Sequence, residues 1–269
     1  MKFRAISALA LVVVLGSLAA WHWWPRIAPA PAPPPAVVAP PAPEPEAVPP
    51  IANPIASGDG AGSSAPALPT LADSDQPVGA ALLELTGSQP LHGLLVPEYL
   101  IRHLVATVDS LPRHRLAVEL RPLRTTPGAL LVVGDDLNGT LDDGNGARYT
   151  VAAAILRQLD MAALARLYKG YYPLFQRAYE DLGYPHGYFN DRLVAVIDHL
   201  LATPELLGPV RLVRPKVFWE FADPELEARS AGQKFLLRVG AANGALLREK
   251  LRALRAQVAA SAPAVTAPH

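Results

Sequence analysis

Asp160-Met-Ala-Ala-Leu-Ala-Arg-Leu-Tyr-Lys-Gly-Tyr-Tyr-Pro-Leu-Phe-Gln-Arg-Ala-Tyr-Glu-Asp-Leu-Gly183 is the stretch whose reading decides the fold. Leu164, Leu167, Tyr168, Tyr171, Leu174, Phe175, Ala178 and Leu182 recur at the three- and four-residue steps of a helix with one apolar face. Asp160 precedes the run and can cap it. Pro173 removes the donor that would reach the Lys169 carbonyl, which predicts a kink eased by Gly170. Gly183 and Pro185 end the helix. A long amphipathic helix of this kind belongs to a mainly α domain.

Downstream, Asn190 stands as an N-cap, with Asp191 at the positive end of the next helix and Phe189 stapled onto Val194. Leu193, Val194, Ile197, Leu200 and Leu201 form its core face. Val210 to Phe221 is extended, and one helix is expected from about Ala231 to Val258. Upstream, Ser74-Asp75 opens a helix and a second starts near Pro97, with Glu98 and Arg102 paired at i,i+4. Ala129-Leu-Leu-Val-Val133 reads as a short strand, the Asp/Asn/Gly clusters after it as turns, and residues 147–159 as another helix.

The ends differ in character. Residues 5–20 are almost wholly apolar and run into Trp21-His-Trp-Trp24, long enough with the aromatic end to cross a bilayer. Lys2 and Arg4 precede the run, which leaves the N-terminus in the cytoplasm and sends the rest across. A signal peptide cleaved after Ser17-Leu-Ala19 is the other reading, and both place the domain outside the cytoplasm. Residues 25–67 are Pro/Ala-rich and then Gly/Ser-rich, the composition of a disordered spacer that holds the domain away from the membrane. The expected architecture is therefore an anchor over 1–24, a linker over 25–67, a helical domain over 68–258 with at most one or two short β segments, and a disordered tail over 259–269.

Composition narrows function. The 24 basic and 24 acidic residues cancel, without the broad positive field that nucleic-acid binding requires. The absence of cysteine excludes thiol catalysis and cysteine-ligated zinc. Ser74, Ser88, Ser110 and Ser230 lie in no nucleophile elbow, and Gly134-Asp-Asp-Leu-Asn-Gly139 carries no phosphate-binding Lys. Asp135 to Asp143 lacks calcium-loop spacing. His186, Asp191 and His199 lack the spacing of a helical ligand pair, so no metal and no cofactor is expected.

The richest constellation runs from Tyr168 to His199. Tyr172, Tyr179, Glu180, Tyr184, Asp191, Arg192 and His199 form the candidate binding surface, since rings stack on apolar faces while charged groups orient a ligand. The competing reading makes the rings core and the acids local caps. Glu180 with Asp191 or Asp198 is the carboxylate pair that glycoside hydrolysis would use. Arg113, His114, Arg115, Arg121 and Arg124 form a basic segment suited either to anionic headgroups or to a solvated loop.

Several strings together resemble a bacterial family known as domain of unknown function 3014. They include Leu100-Ile-Arg-His-Leu-Val-Ala-Thr-Val-Asp-Ser-Leu-Pro112, Tyr172-Pro-Leu-Phe-Gln-Arg-Ala-Tyr-Glu-Asp-Leu-Gly-Tyr-Pro185, Tyr188-Phe-Asn-Asp-Arg192 and Phe221-Ala-Asp-Pro-Glu-Leu-Glu227. The likeness is weakest between about 120 and 145. It implies an N-terminal membrane segment and a Pro-rich linker, and it transfers no catalytic residue. The expectation is a single-pass protein of the bacterial inner membrane, N-terminus cytoplasmic and domain periplasmic. Its partners would be the lipid bilayer through residues 5–24 and an envelope protein, peptide or glycan. Binding or scaffolding is its expected role, and a cell-wall-directed hydrolase is the alternative.

Overall fold

The computed structural model describes residues 50–55, 67–87, 89–116, 118–206 and 208–260, all within the unit Val48–His269. The expected anchor over 5–24, most of the linker and the tail beyond 260 lie outside the described residues. Among the described residues, no helix is long and apolar enough to cross a membrane.

The domain is mainly helical with a small sheet. Its helices are α1 (Asp75–Thr86), α2 (Gln89–Leu94), α3 (Leu100–Ser110), α4 (Thr150–Gln158), α5 (Met161–Asp181), α6 (Phe189–Leu201), α7 (Pro224–Glu227), α8 (Ala231–Arg238) and α9 (Ala241–Val258). The long amphipathic helix expected after Asp160 is α5. Asp160 caps it, its Oδ1 accepting from the N–H groups of Ala162 at 2.8 Å and Ala163 at 3.3 Å. Those two bonds hold the Asp160 carboxyl below the usual carboxylate range. The helix continues through Pro173 to Asp181.

The apolar face of α5 packs with α3, α6 and α9 around the main core. Leu100, Ile101, Val105, Phe189 and Ile197 are sealed there. Tyr168, Phe175, Tyr179 and Phe189 form a continuous ring cluster, with Phe175 and Phe189 stacked at 5.7 Å. Burial raises the Tyr168 hydroxyl well above its ordinary pKa, because an ionised phenolate has no hydration there.

Local expectations are corrected at four places. The second helix starts at Leu100 rather than near Pro97. Tyr99, at φ +53, interrupts the helical path, and Asp75 caps the turn from outside by accepting from the N–H groups of Tyr99 and Leu100, both at 2.7 Å. Glu98 thus falls outside the helix, and Arg102 pairs with Asp181 at 3.0 Å.

The single helix expected over 231–258 is two helices, α8 and α9. Gly240 adopts φ +88, a conformation no helix continues through. Asn190 is no cap either, for it lies inside α6 and is fully buried. Finally, the β content exceeds one or two segments. A four-stranded antiparallel sheet forms in the order β1 (Val132–Gly134), β2 (Asn138–Leu141), β3 (Arg211–Val213), β4 (Glu220–Phe221). Strands of two to four residues carry too little alternation to be read locally. Leu212 and Phe221 bury one face of the sheet on Leu237.

Residues 50–55, which composition groups with the linker, lie against the domain. Asp191 accepts from the backbone N–H of Ala52 and Asn53, and Ile55 packs on the main core.

Candidate functional site

The surface predicted between Tyr168 and His199 is largely consumed by internal bonds. Tyr172 donates to Gln176, whose amide donates in turn to Glu180 at 3.2 Å and to the Gly187 carbonyl at 2.8 Å. Gln176 Oε1 accepts from the Phe189 N–H at 2.9 Å, so this side chain ties the end of α5 to the start of α6. Tyr179 is buried in the core and stacks on Tyr184 with centroids 4.5 Å apart. The Tyr184 hydroxyl and Arg192 both bond Asp109, a carboxylate that α3 buries almost completely. Arg113 completes that cluster on Asp109. His199 faces the Ser230 hydroxyl at 2.8 Å, and Ser230 is the buried cap of α8.

The carboxylates offered as a hydrolytic pair are engaged separately. Asp191 holds residues 52 and 53, Asp198 forms a two-pronged pair with Arg255, and Glu180 sits beside Gln176 and Arg177. Among the described residues, no group of three His, Asp or Glu side chains is placed to hold a metal ion. Of the basic segment, Arg113 belongs to the Asp109 cluster, while His114, Arg115 and Arg124 are exposed.

A different feature has the shape of a binding site. Between the sheet and the α8–α9 corner lies a cleft of about 890 Å³. Leu141 and Val210 line it from the sheet side, and Leu236 and Leu237 from α8. The start of α9 contributes Gly240, Ala241, Gly244 and Ala245, residues small enough to leave the space open. Arg248, which is 7% exposed, also lines it. The Arg248 guanidinium makes one hydrogen bond among the described residues, from Nη2 to the Pro204 carbonyl at 3.3 Å. Its Nε is buried without a partner. Burying a cation without a counter-charge is costly.

Sequence patterns do not single out this site. Its signal lies in Gly240-Ala-Ala-Asn-Gly-Ala-Leu-Leu-Arg248, where Gly240, Gly244 and Arg248 repeat at i,i+4. That spacing puts a lone Arg on the buried stripe of a helix that opens with small residues. The cleft itself needs residues from 133 to 248 and has no local signature.

No curated protein and no solved structure matches the chain. A family model described as "Protein of unknown function (DUF3014)" matches residues 100–255, which take in α3 to α8, the whole sheet and most of α9. By that match over more than half its length, the chain belongs to the DUF3014 family.

Proposed function

We propose that the domain is a non-catalytic binding module of the bacterial envelope, held on the periplasmic side of the inner membrane by residues 5–24, with its ligand seat in the cleft beside Arg248. The observation that carries this reading is the cleft itself: about 890 Å³, apolar on two walls, with the buried cation Arg248 in its lining. Ligand sites commonly have this volume and this mixture of apolar walls with a few convergent polar groups. The hydrolase alternative has less support, because Glu180, Asp191 and Asp198 each serve a separate internal contact.

Two measurements test the reading. A reporter fused after His269 should be active only outside the cytoplasm, and cytoplasmic activity would overturn the location. Ala245→Leu fills the cleft from an exposed helix position, so the variant should melt like the parent yet fail to restore a deletion strain. Full restoration by a stably folded variant would overturn the cleft as the functional site.

A further inference from the structure

We infer that the cleft beside Arg248 recognises a single carboxylate borne on a short apolar chain, the chemistry of a peptide C-terminal end or a free apolar amino acid. This rests on the binding-module reading and names its ligand class.

Three features of the site converge. The first is the cation. Arg248 runs back along α9 so that a Cβ added at Gly244, one turn earlier, would stand only 3.1 Å from its Nη1. Glycine at 244 therefore leaves the guanidinium room over the preceding turn. Nε is buried without a partner and Nη2 donates to the Pro204 carbonyl, while no acceptor for Nη1 stands among the described residues, and Arg248 lines the cleft. Among the described residues no ion pair engages it, and a carboxylate would supply strong charge-assisted bonds.

The second is the start of α9, a helix of 18 residues whose N-cap, Gly240, has no side chain to bond the first-turn N–H groups. Gly240 and Ala241 line the same cleft as Arg248. Free N–H groups and the positive helix end favour an anion there.

The third is what surrounds these donors. Asp142, Asp143 and Glu205 also line the cleft. The Asp142 Oδ1 is already taken by the Gly144 N–H at 2.6 Å, while Asp143 and Glu205 are exposed. Three acids in the same lining repel a doubly charged phosphate more than a singly charged carboxylate. They also offer a place for an ammonium group, as a free amino acid carries. The walls of Leu141, Leu206, Val210, Leu236 and Leu237 match an apolar body of modest size.

The test is titration of the full-length protein in detergent micelles with N-acetyl-alanyl-valine, its C-terminal amide, free valine and inorganic phosphate. Saturable binding is expected for a free carboxylate, at least about tenfold weaker for the amide. Comparison of N-acetyl-alanyl-valine with valine tells the peptide end from the amino acid. Arg248→Met should weaken carboxylate binding about tenfold or more without lowering the melting temperature, because it removes a buried charge that has no ion partner among the described residues. Tighter binding of phosphate than of either carboxylate would overturn the assignment, as would undiminished binding by Arg248→Met. If no carboxylate binds into the millimolar range while Ala245→Leu still abolishes function in cells, the ligand class is wrong and the cleft stands. If Ala245→Leu is also harmless, the binding-module reading fails with it.

Discussion

The carboxylate of Asp191 holds Asn53. Its Oδ1 accepts from the Asn53 backbone N–H at 2.6 Å and from the Asn53 side-chain amide at 3.1 Å, while Oδ2 takes the Ala52 N–H at 3.0 Å. One residue earlier, Asn190 donates to the Asn53 carbonyl and to the Val258 carbonyl, both at 2.8 Å, and accepts from the Tyr168 hydroxyl. Asn53 in turn accepts from the Ala260 N–H. The segment entering the domain and the segment leaving it are thus fastened at one point, the start of α6.

Asn190→Ala is expected to cost about 1–3 kcal/mol, because it strips a buried carbonyl, a half-buried carbonyl and a buried hydroxyl of their partner. Asp191→Ala should cost about 1 kcal/mol, since its bonds lie nearer solvent. Thermal unfolding gives both values. Amide hydrogen exchange should quicken at Ala52 and Asn53 in Asp191→Ala while α5 keeps its protection. Unchanged exchange at those two amides would show that the fastening does not hold in solution.

The Asp109 cluster sets a second expectation. Asp109 has a side chain only 4% exposed, whereas those of Arg113 and Arg192 are 56% and 30% exposed. Asp109→Asn should cost about 2–3 kcal/mol, less than a wholly buried pair because both guanidinium groups reach water when released. Arg113→Ala, on the wet side, should cost less than about 1 kcal/mol. An Asp109→Asn variant that melts like the parent would mark Asp109 as held for function rather than for folding.

Glu227 makes stability depend on pH. Burial works to raise its pKa, but the hydrogen bonds from Lys234 and the Phe221 N–H, with the charges of Lys234 and Arg238, outweigh burial and lower it from 4.5. A carboxyl whose folded pKa lies below its unfolded value stabilises the fold above that unfolded value, and the gain is lost as pH falls through the folded one. The Glu227 contribution should therefore be constant at neutral pH and fade below about pH 4.5. Glu227→Gln should cost about half a kcal/mol at pH 7, after screening by solvent, and flatten this part of the acid limb. Equal losses at pH 7 and pH 3 would contradict it.

Two glycines should respond in opposite directions. Gly240→Ala forces a side chain into φ +88, with its Cβ 3.2 Å from the Gly146 Cα, and should destabilise by about 1–2 kcal/mol. Gly170 lies inside α5, where an added Cβ meets nothing within 4 Å. Gly170→Ala should stabilise by up to about 1 kcal/mol through helix propensity. Melting curves of the two variants, read together, check the division of the C-terminal region into α8 and α9.

The sequence by itself determined the helices with long apolar stripes, because burial along one face writes its period into consecutive residues. Thus α5 was legible from Asp160 to Asp181, the core of α6 from Val194, Ile197 and Leu200, and family membership from strings such as Tyr172 to Pro185. The Tyr168–His199 rings left core and binding surface both open, since a ring at helical spacing is the same letter in either role. Tertiary structure decided that Tyr168, Phe175, Tyr179 and Phe189 are core and that Tyr184 and Arg192 are spent on Asp109. It also decided the sheet, whose β2–β3 pairing joins Gly139 to Leu212 across some seventy residues, and the break at Gly240, set by a backbone angle that a glycine permits without requiring. The cleft belongs wholly to that second class. Arg248 is one charged residue in a charged helix until the fold buries it in the lining of the cleft, with Nη2 on the Pro204 carbonyl and Nε without a partner.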